Sequence, residues 1–329
     1  MTGGNPWRAG ATPPGPSSSA SGAAFCVCVP ARDEEERLPR LLDALARQSV
    51  TAPIPVAICL NNCSDGSANA VAEASSHHAG RLVITFEDLT FPAELAHAGS
   101  ARRAAMELGL RQLPGENGLL ITTDADARPP EDWIAANLAA IRSGDEIVGG
   151  MLLLDDGEPL PDGVAEASRL WHRYWEVVRA IEDEIDPVSW DPPPRHGDHT
   201  GGSLALSADL YRRAGGVPLL RSGEDRALVE AAVQTGGRLI HPVSVWTRVS
   251  ARSHGRAENG MALVMRRLED SLSRGEMLRA PALAHWRERA LWRRRMRRQL
   301  GDVAALFEAE RALPPMPDDA DLATIGACS

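Results

Sequence analysis

Two aspartates spaced Asp-x-Asp are the residues of this chain whose types and spacing point most directly to chemistry. The segment 119–133, LLITTDADARPPEDW, leads an apolar and β-branched run straight into Asp124 and Asp126. Two carboxylates at a strand end can hold a divalent cation, and that cation can hold a diphosphate. Aspartate also favours turns, so the pair could simply end a strand. The surrounding sequence has to decide between these interpretations.

A second acidic pair, Glu224–Asp225, stands in SGEDRALVEAAV directly before an apolar helical pattern. Acidic residues in a first helical turn are favoured by capping and by the helix dipole. A carboxylate can equally serve as a general base that takes the proton of an attacking hydroxyl group. Both interpretations remain open on the residues alone.

A third candidate segment is DPVSWDPPPRHGDHTGGS, residues 186–203, which is rich in Pro and Gly and contains two histidines. Such an irregular stretch inside an otherwise regular domain is typical of a functional loop. His196 and His199 are candidate metal ligands or acceptor contacts, although two surface histidines would give the same pattern. Gly201 and Gly202 permit either close approach of a substrate or a tight turn. We take His199, Gly201 and Gly202 as the candidate acceptor-binding residues.

The charge composition excludes several classes of protein. The 329 residues carry a net charge of −10, and all 35 basic residues are arginine. A negative chain does not favour general nucleic-acid binding. A P-loop, a protein kinase and a Schiff-base enzyme each need a lysine, which this chain lacks.

The cysteines and the hydropathy pattern set expectations for the compartment. Four of the five cysteines lie in or beside apolar runs, without the short spacing of a zinc knuckle. An odd count without a signal peptide is typical of a reducing compartment, so a cytoplasmic location is expected. No apolar run approaches the roughly 20 residues that a membrane span needs.

Strands and helices alternate through the first half of the chain. The pattern predicts strands at 24–30, 54–60, 81–87, 118–123 and 146–154, and helices at 34–49, 67–78, 98–111, 131–143 and 163–184. This order indicates an α/β fold with a mostly parallel sheet flanked by helices. Polar residues follow three strands, and strand ends of such sheets share one ligand-binding rim. The first strand is followed by PARDEEER without glycine, so bound phosphates would need a metal or arginine.

Five segments in a fixed order resemble the family-2 glycosyltransferases of GT-A fold over roughly residues 24–260. They are VCVPARDEEERL, VAICLNNCSDGSANAV, LLITTDADARPPEDWI, GGSLALSADLYRRAGGV and SGEDRALVEAAVQTGG. The resemblance implies a metal-dependent transfer of sugar from a nucleotide-diphosphate donor to a hydroxyl acceptor, with Mg²⁺ or Mn²⁺ as cofactor. It also implies that Asp225, beside Glu224, is the catalytic base of an inverting reaction.

The resemblance also implies where the donor and the metal bind. Asp126 would ligate the metal, and His254 stands where related enzymes often complete the metal shell. Arg102 or its neighbour Arg103 would take the place of a phosphate-facing lysine, and Arg252 and Arg256 would contact the diphosphate. The donor-binding residues are then Pro30, Ala31, Arg32, Asp33, Asn61, Arg102, Asp124, Arg252 and Arg256. Asn61 departs from the family's aspartate, which leaves the choice of nucleobase open.

The sequence predicts the following domains: a disordered tail at 1–22, a glycosyltransferase domain at 23–262, a helical basic extension at 263–312 and a second disordered tail at 313–329. Within the domain, 23–150 would bind the nucleotide sugar and 151–262 would bind the acceptor and carry out catalysis. The arginine-rich helix at 283–300 is expected either to pack on the domain or to contact an anionic membrane. The second possibility would suit a lipid-linked acceptor.

Three rival functions remain at this point. Arg252 and His254 also resemble a segment of retaining GT-A enzymes. A sugar nucleotidyltransferase would use a similar sheet, but it usually needs the glycine-rich loop that PARDEEER lacks. A degenerate, non-catalytic nucleotide-sugar-binding protein fits Asn61, whereas Asp126 and Asp225 argue against it.

Overall fold

The computed structural model of the chain describes residues 24–114, 118–253, 255 and 261–325. The tail predicted at 1–22 lies outside these residues, as do the last four residues of the chain.

The described residues form a large mixed sheet and two small ones. The strands are β1 (Phe25–Ala31), β2 (Ile54–Asn61), β3 (Leu82–Leu89), β4 (Leu119–Thr122), β5 (Ala127–Arg128), β6 (Glu146–Gly149), β7 (Met151–Leu154), β8 (Leu204–Ser207), β9 (Arg238–Ile240), β10 (Trp246–Val249), β11 (Arg279–Ala280) and β12 (Ala320–Asp321). The large sheet has the order β3-β2-β1-β4-β8-β6-β9. Within this sheet β8 runs antiparallel to both of its neighbours, whereas the remaining pairs are parallel. The carboxyl ends of β1, β2 and β4 therefore meet at one edge.

The described residues also form eleven helices. They are α1 (Leu38–Ala46), α2 (Ser67–His77), α3 (Ala98–Gln112), α4 (Trp133–Ala140), α5 (Val164–Ile185), α6 (Ala208–Arg213), α7 (Glu224–Gln234), α8 (Met261–Ser273), α9 (Leu283–Leu300), α10 (Val303–Arg311) and α11 (Leu322–Ile325). Successive side chains of β1 point to opposite faces. Val27 and Val29 join the core beneath α1, α2 and α4, while Cys26 and Cys28 join the core beneath α3, α6 and α7.

The strand predicted at 146–154 is two strands in two sheets. The chain leaves the large sheet after Gly149 and enters the sheet β5-β10-β7 at Met151. At the crossing, Gly150 N–H donates to the Ser203 carbonyl at 2.9 Å. A Cβ at Gly150 would lie 2.1 Å from Ser203 Oγ, so glycine is required where the backbone passes between the sheets.

The C-terminal extension is helical, as the sequence predicts, but order continues past residue 313. β12 pairs with β11 through Arg279 and Asp321. Leu322 is 1% exposed in a cluster with Tyr174 and Val178 of α5. This differs from the disordered tail expected at 313–329, because a few apolar side chains in a polar stretch suffice to dock it. No helix within the described ranges is long and apolar enough to cross a membrane.

Candidate active site

A cavity of about 530 Å³ opens at the shared edge of β1, β2 and β4. It gathers residues from distant parts of the sequence onto one rim, as the polar strand ends predict. The predicted site residues that line it are Pro30, Ala31, Arg32, Asn61, Arg102, Asp124, Asp126, Gly201, Gly202, Glu224, Asp225 and Arg252.

Two of the predicted site residues that the structure describes, Asp33 and His199, do not line the cavity. Asp33 turns away from the cavity, because its carboxylate accepts hydrogen bonds from the Ser64 backbone N–H at 2.7 Å and from the Ser64 hydroxyl at 3.2 Å. His199 lies behind the cavity wall, with Nδ1 3.0 Å from the Gly197 carbonyl and 3.3 Å from His241 Nε2. The geometry therefore gives neither residue support as a direct ligand contact. His254 and Arg256 lie outside the described residues.

Arg102 is a buried link between the two acidic pairs. Its Nε donates to Glu224 at 3.1 Å, and an Nη donates to Asp124 at 2.8 Å. The other Nη donates to the hydroxyl of Thr122 at 3.0 Å and to the carbonyl of Gly201 at 3.1 Å. Burial alone would lower the pKa of Arg102, but the charges of Asp124 and Glu224 raise it above its ordinary value. The guanidinium thus holds protein groups together, which differs from the phosphate-facing role expected of it.

The loop that carries Gly201 holds Asp225 in place. Gly201 N–H donates to Asp225 Oδ2 at 2.7 Å, and the backbone N–H of Arg226 donates to Oδ1 at 2.7 Å. A Cβ at Gly201 would lie 2.3 Å from the guanidinium carbon of Arg102. The glycine is therefore needed for close approach of Arg102 to the loop. The backbone N–H and carbonyl of Gly201 thus connect the candidate base to Arg102.

Asp126 lies beside Arg252 and Glu34 on the donor side of the cavity. Arg252 contacts Asp126 Oδ2 at 3.0 Å and donates to both oxygens of Glu34, at 2.6 and 3.0 Å. Burial, and then the negative charge of Asp124, raise the pKa of Asp126 to about 6, although Arg252 opposes the shift. The positive charge of Arg252 therefore does not fully compensate the burial of the Asp126 carboxylate and its repulsion by Asp124. Hard oxygen donors in such a place fit a divalent cation.

Asn61 ends β2 and Asn62 follows it, and their side chains make different contacts. The Asn62 amide bonds the Phe91 backbone in both directions, at 2.9 Å each way, and so fixes the loop after β3. The Asn61 amide nitrogen donates to the His97 carbonyl at 3.1 Å, while its Oδ1 is buried without a hydrogen-bond partner among the described residues. Of these two asparagines, Asn61 therefore offers a free polar atom to the cavity, whereas the Asn62 amide is already bonded.

A histidine cluster supports the loop 186–203 from behind. Asp191 accepts from His241 N–H at 2.7 Å and lies 2.8 Å from its Nδ1, and the rings of His196 and His199 pack against the His241 ring. Burial, and then the neighbouring His241, lower the pKa of His196 to about 3 and that of His199 to about 4. Both rings are therefore neutral at pH 7. Their position makes them supports of the loop.

Several residues that line the cavity are not predicted by the sequence motifs. Glu34 directly follows the predicted Pro30–Asp33 segment, and Thr200 directly precedes the predicted Gly201. Their position beside predicted segments is the only feature of the sequence that points to them. The Thr200 hydroxyl is buried without a partner among the described residues. His97, Arg221 and Met261 also line the cavity. Tertiary packing brings these three residues to the cavity, and no motif in the sequence around them predicts this position.

The family model described as Glycosyl transferase family 2 matches residues 26–188 of the chain. This confirms the resemblance drawn from the motifs and the expectation of a glycosyltransferase enzyme. No curated protein matches the chain.

Solved structures with a similar fold include a mannosyltransferase, PcManGT from Pyrobaculum calidifontis, in complex with GDP-Man and Mn²⁺. It is 19% identical, with a TM-score of 0.51, over 96% of this chain and 83% of that chain. This likeness confirms the predicted GT-A fold. S. aureus TarS 1–349 in complex with UDP-GlcNAc is 15% identical, with a TM-score of 0.49, over 88% of this chain and 76% of that chain. Glucosyl-3-phosphoglycerate synthase from Mycobacterium tuberculosis, in complex with Mn²⁺ and UDP-glucose, is 14% identical, with a TM-score of 0.41, over 82% of this chain and 89% of that chain.

Proposed function

We propose that this chain, a glycosyltransferase by its family-2 match, moves a sugar from a nucleotide-diphosphate donor to a hydroxyl acceptor, with inversion at the sugar C1. The observation that carries the proposal is that one cavity contains both Asp126 and Asp225. The first suits the donor diphosphate and its counter-ion, and the second suits the acceptor. Arg102 connects the two sides.

A divalent cation, Mg²⁺ or Mn²⁺, would be held by Asp126, with His254 as the further ligand that the family resemblance implies. The half-buried carboxylate of Asp126, whose pKa is raised by burial and by Asp124, fits such an ion. When bound, the ion would supply positive charge to the diphosphate that leaves. Arg252, already in contact with Asp126, would remain near that charge.

On the acceptor side, Asp225 takes the proton of the acceptor hydroxyl as its oxygen attacks the sugar C1. The new C1–O bond forms while the bond from C1 to the diphosphate oxygen breaks, and the diphosphate keeps the electron pair. The backbone N–H groups of Gly201 and Arg226, which both donate to Asp225, orient its carboxylate for this step. We propose that the Thr200 hydroxyl binds the acceptor, because it is buried without a partner among the described residues.

Retention of configuration is the second candidate mechanism. Arg252 lies in the Arg-x-His segment that resembles retaining enzymes, and it contacts Asp126. In that case Asp225 would be a structural carboxylate at the start of α7, and its replacement would leave turnover intact. The stereochemistry of the product separates the two mechanisms.

The acceptor is a hydroxyl compound, and we propose a lipid-linked one presented at an anionic surface in the cytoplasm. The support is the outer face of α9, where Arg294, Arg295 and Arg298 are exposed and have no carboxylate partner among the described residues. Vesicles of phosphatidylglycerol should bind the chain, whereas the triple change Arg294→Gln, Arg295→Gln, Arg298→Gln should not bind. A full chain that ignores these vesicles would remove the membrane proposal.

Calorimetric titration with nucleoside diphosphates tests the donor site. Binding should be strong with Mn²⁺ and at least about tenfold weaker after EDTA, because the diphosphate then faces the carboxylates of Asp124 and Asp126 without a neutralising ion. Equal affinity with and without metal would contradict the metal-dependent donor site. Absence of binding by every nucleoside diphosphate would contradict the proposed function itself.

A further inference from the structure

Arg226 lines the cavity with a side chain that has no partner among the described residues. Arg102 and Arg252 also line the cavity, but both contact carboxylates. Arg32 and Arg221 donate to backbone carbonyls of the loop between β3 and α3. The guanidinium of Arg226 has neither a hydrogen bond nor an ion pair within the described ranges, and the residue is exposed. Its positive charge is therefore available to a ligand.

Arg226 lies beside the candidate base, on the side of the loop 186–203. It directly follows Asp225 in α7, and the bond from Gly201 N–H to Asp225 Oδ2 at 2.7 Å holds the loop against the start of this helix. Burial is the main cause of the lowered pKa of His199, and the charge of Arg226 contributes to it. The guanidinium is thus within electrostatic reach of the loop.

Thr200 brings a second unsatisfied group to the same part of the cavity. It directly precedes Gly201 and lines the cavity, and its hydroxyl is buried without a partner among the described residues. A buried polar atom without a partner is costly unless a ligand completes it. A molecule bound here would meet a hydroxyl at Thr200, a carboxylate at Asp225 and a cation at Arg226.

We propose that the acceptor carries an anionic group, a phosphate or a carboxylate, which Arg226 binds while Asp225 takes the proton of the acceptor hydroxyl. The inference rests on the proposed function, since it assumes that a sugar acceptor occupies this part of the cavity. The planar fork of an arginine matches two oxygens of a phosphate or carboxylate. Without this cation, the carboxylate of Asp225 would repel an anionic acceptor.

The donor side of the cavity has cations of its own. Arg252 contacts Asp126 Oδ2 at 3.0 Å, and the positive charges that act most on the Asp126 carboxylate are those of Arg252 and Arg37. The proposed metal ion at Asp126 adds to them. The donor diphosphate is therefore neutralised without Arg226, which leaves this arginine for the acceptor.

Calorimetric titration of the full chain tests the inference, with Mn²⁺ and a saturating amount of the nucleoside diphosphate that binds most tightly. The probes are glycerol, glycerol 3-phosphate and monomeric dihexanoyl phosphatidylglycerol. The last two carry a phosphate besides hydroxyl groups, whereas glycerol carries hydroxyl groups alone. At least one phosphate probe should bind about tenfold or more tightly than glycerol. Added salt should weaken this binding, because an exposed arginine is screened.

The two phosphate probes separate the possible sources of the anion. A lipid headgroup and a soluble phosphate ester share the same chemistry, so tighter binding of either probe supports an anionic acceptor and identifies its source. Lipid that binds only at the exposed arginines of α9 would be recognised because Arg226→Gln leaves it unaffected.

Arg226→Gln should weaken binding of the tighter phosphate probe by about tenfold, while the affinities for glycerol and for the nucleoside diphosphate hardly change. Arg212→Gln is the matched control. Arg212 is an exposed arginine of α6 that does not line the cavity and has no carboxylate partner among the described residues. Its replacement should leave the affinities for all the probes unchanged.

The outcomes separate this inference from the proposed function. If the phosphate probes bind no more tightly than glycerol, or if Arg226→Gln binds them as Arg212→Gln does, the anionic acceptor is overturned while the donor site stands. If Arg226→Gln instead weakens binding of the nucleoside diphosphate, Arg226 serves the donor and the inference is overturned. If no nucleoside diphosphate binds, the proposed function falls and this inference falls with it. The comparison of the probes uses the unaltered chain, so it decides the matter even where Arg226→Gln fails to fold.

Discussion

Arg102 connects the donor side and the acceptor side of the cavity. Its guanidinium is 5% exposed and contacts carboxylates on Asp124 and Glu224, of which Glu224 is 6% exposed. A buried arginine with a planar fork can satisfy several acceptors that a lysine cannot. The site therefore depends on a residue that binds protein groups more than ligand.

Arg102→Gln should lower the free energy of unfolding by about 3–5 kcal/mol, because it leaves the buried Glu224 without its counter-charge. Arg102→Lys should recover only part of this loss. Denaturant unfolding measures the effect. Arg103→Gln is the matched control, since Arg103 makes a bond to the Val217 carbonyl and its loss should cost about 1 kcal/mol. Equal stability of Arg102→Gln and Arg103→Gln would contradict the linking role.

His196 should make the protein sensitive to acid. Burial, and then the charge of neighbouring His241, lower its folded pKa to about 3, whereas the unfolded side chain takes a proton below about pH 6.5. The unfolded state thus binds more protons between these values, so stability falls as pH drops through this window. His196→Gln should remove about 1–2 kcal/mol of the loss between pH 7 and pH 5.

Denaturant unfolding of the parent and the variant at both pH values checks this prediction. His77→Gln, at an exposed position at the end of α2, is the control, because that ring reaches solvent in the folded and unfolded chain alike. A His196→Gln variant that keeps the acid sensitivity of the parent would show that the ring is solvated in the folded state.

At the scale of elements, the C-terminal helix α9 is tied to α5 and to the loop 186–203 by buried charges. Glu182 of α5 is 2% exposed, and it accepts from Arg179 at 2.6 Å, from Arg195 of the loop at 3.2 Å and from Arg293 of α9 at 2.8 Å. Burial alone would raise the pKa of Glu182, but Arg293 and Arg179 lower it below its ordinary value. The basic extension thus supports the loop that holds Asp225.

Arg293→Met should destabilise the protein by about 3 kcal/mol or more, because it removes one partner from a buried ionic cluster. Arg294→Met changes the next residue on the same helix, which is exposed, and should stay within about 0.5 kcal/mol of the parent. Thermal or denaturant unfolding distinguishes the two. Similar stability of both variants would mean that α9 is held on α5 by its apolar contacts alone.

The order of strands and helices could be predicted from the sequence because each element shows its own period of apolar residues. The break between β6 and β7 could not, since it depends on Gly150 meeting Ser203, some fifty residues away in the chain. The same limit applies to the site. Asp124, Asp126 and Asp225 stand at visible strand ends and helix starts, whereas the pairing of Arg102 with Glu224 spans 122 residues and has no local signal.

In the molecule as a whole, arginine supplies every permanently cationic side chain, although the net charge of the chain is −10. It is buried where acidic side chains must come together, as at Arg102 and Arg293, and exposed on the outer face of α9. The large sheet supplies a fixed rim on which the donor residues stand, and the second half of the chain supplies Asp225 and its loop. We therefore expect mutations to separate donor binding from catalysis.

The contrast between Asp225→Asn and Asp126→Asn tests that account most directly. Once transfer or donor hydrolysis is measurable, Asp225→Asn should lose about 10²–10⁴ in turnover, the usual cost of a missing general base, while its affinity for the donor hardly changes. Asp126→Asn should weaken donor binding in the presence of Mn²⁺ together with turnover. If Asp225→Asn turns over like the parent while Asp126→Asn is inactive, Asp225 is only a carboxylate at the start of α7, and the inverting mechanism is contradicted.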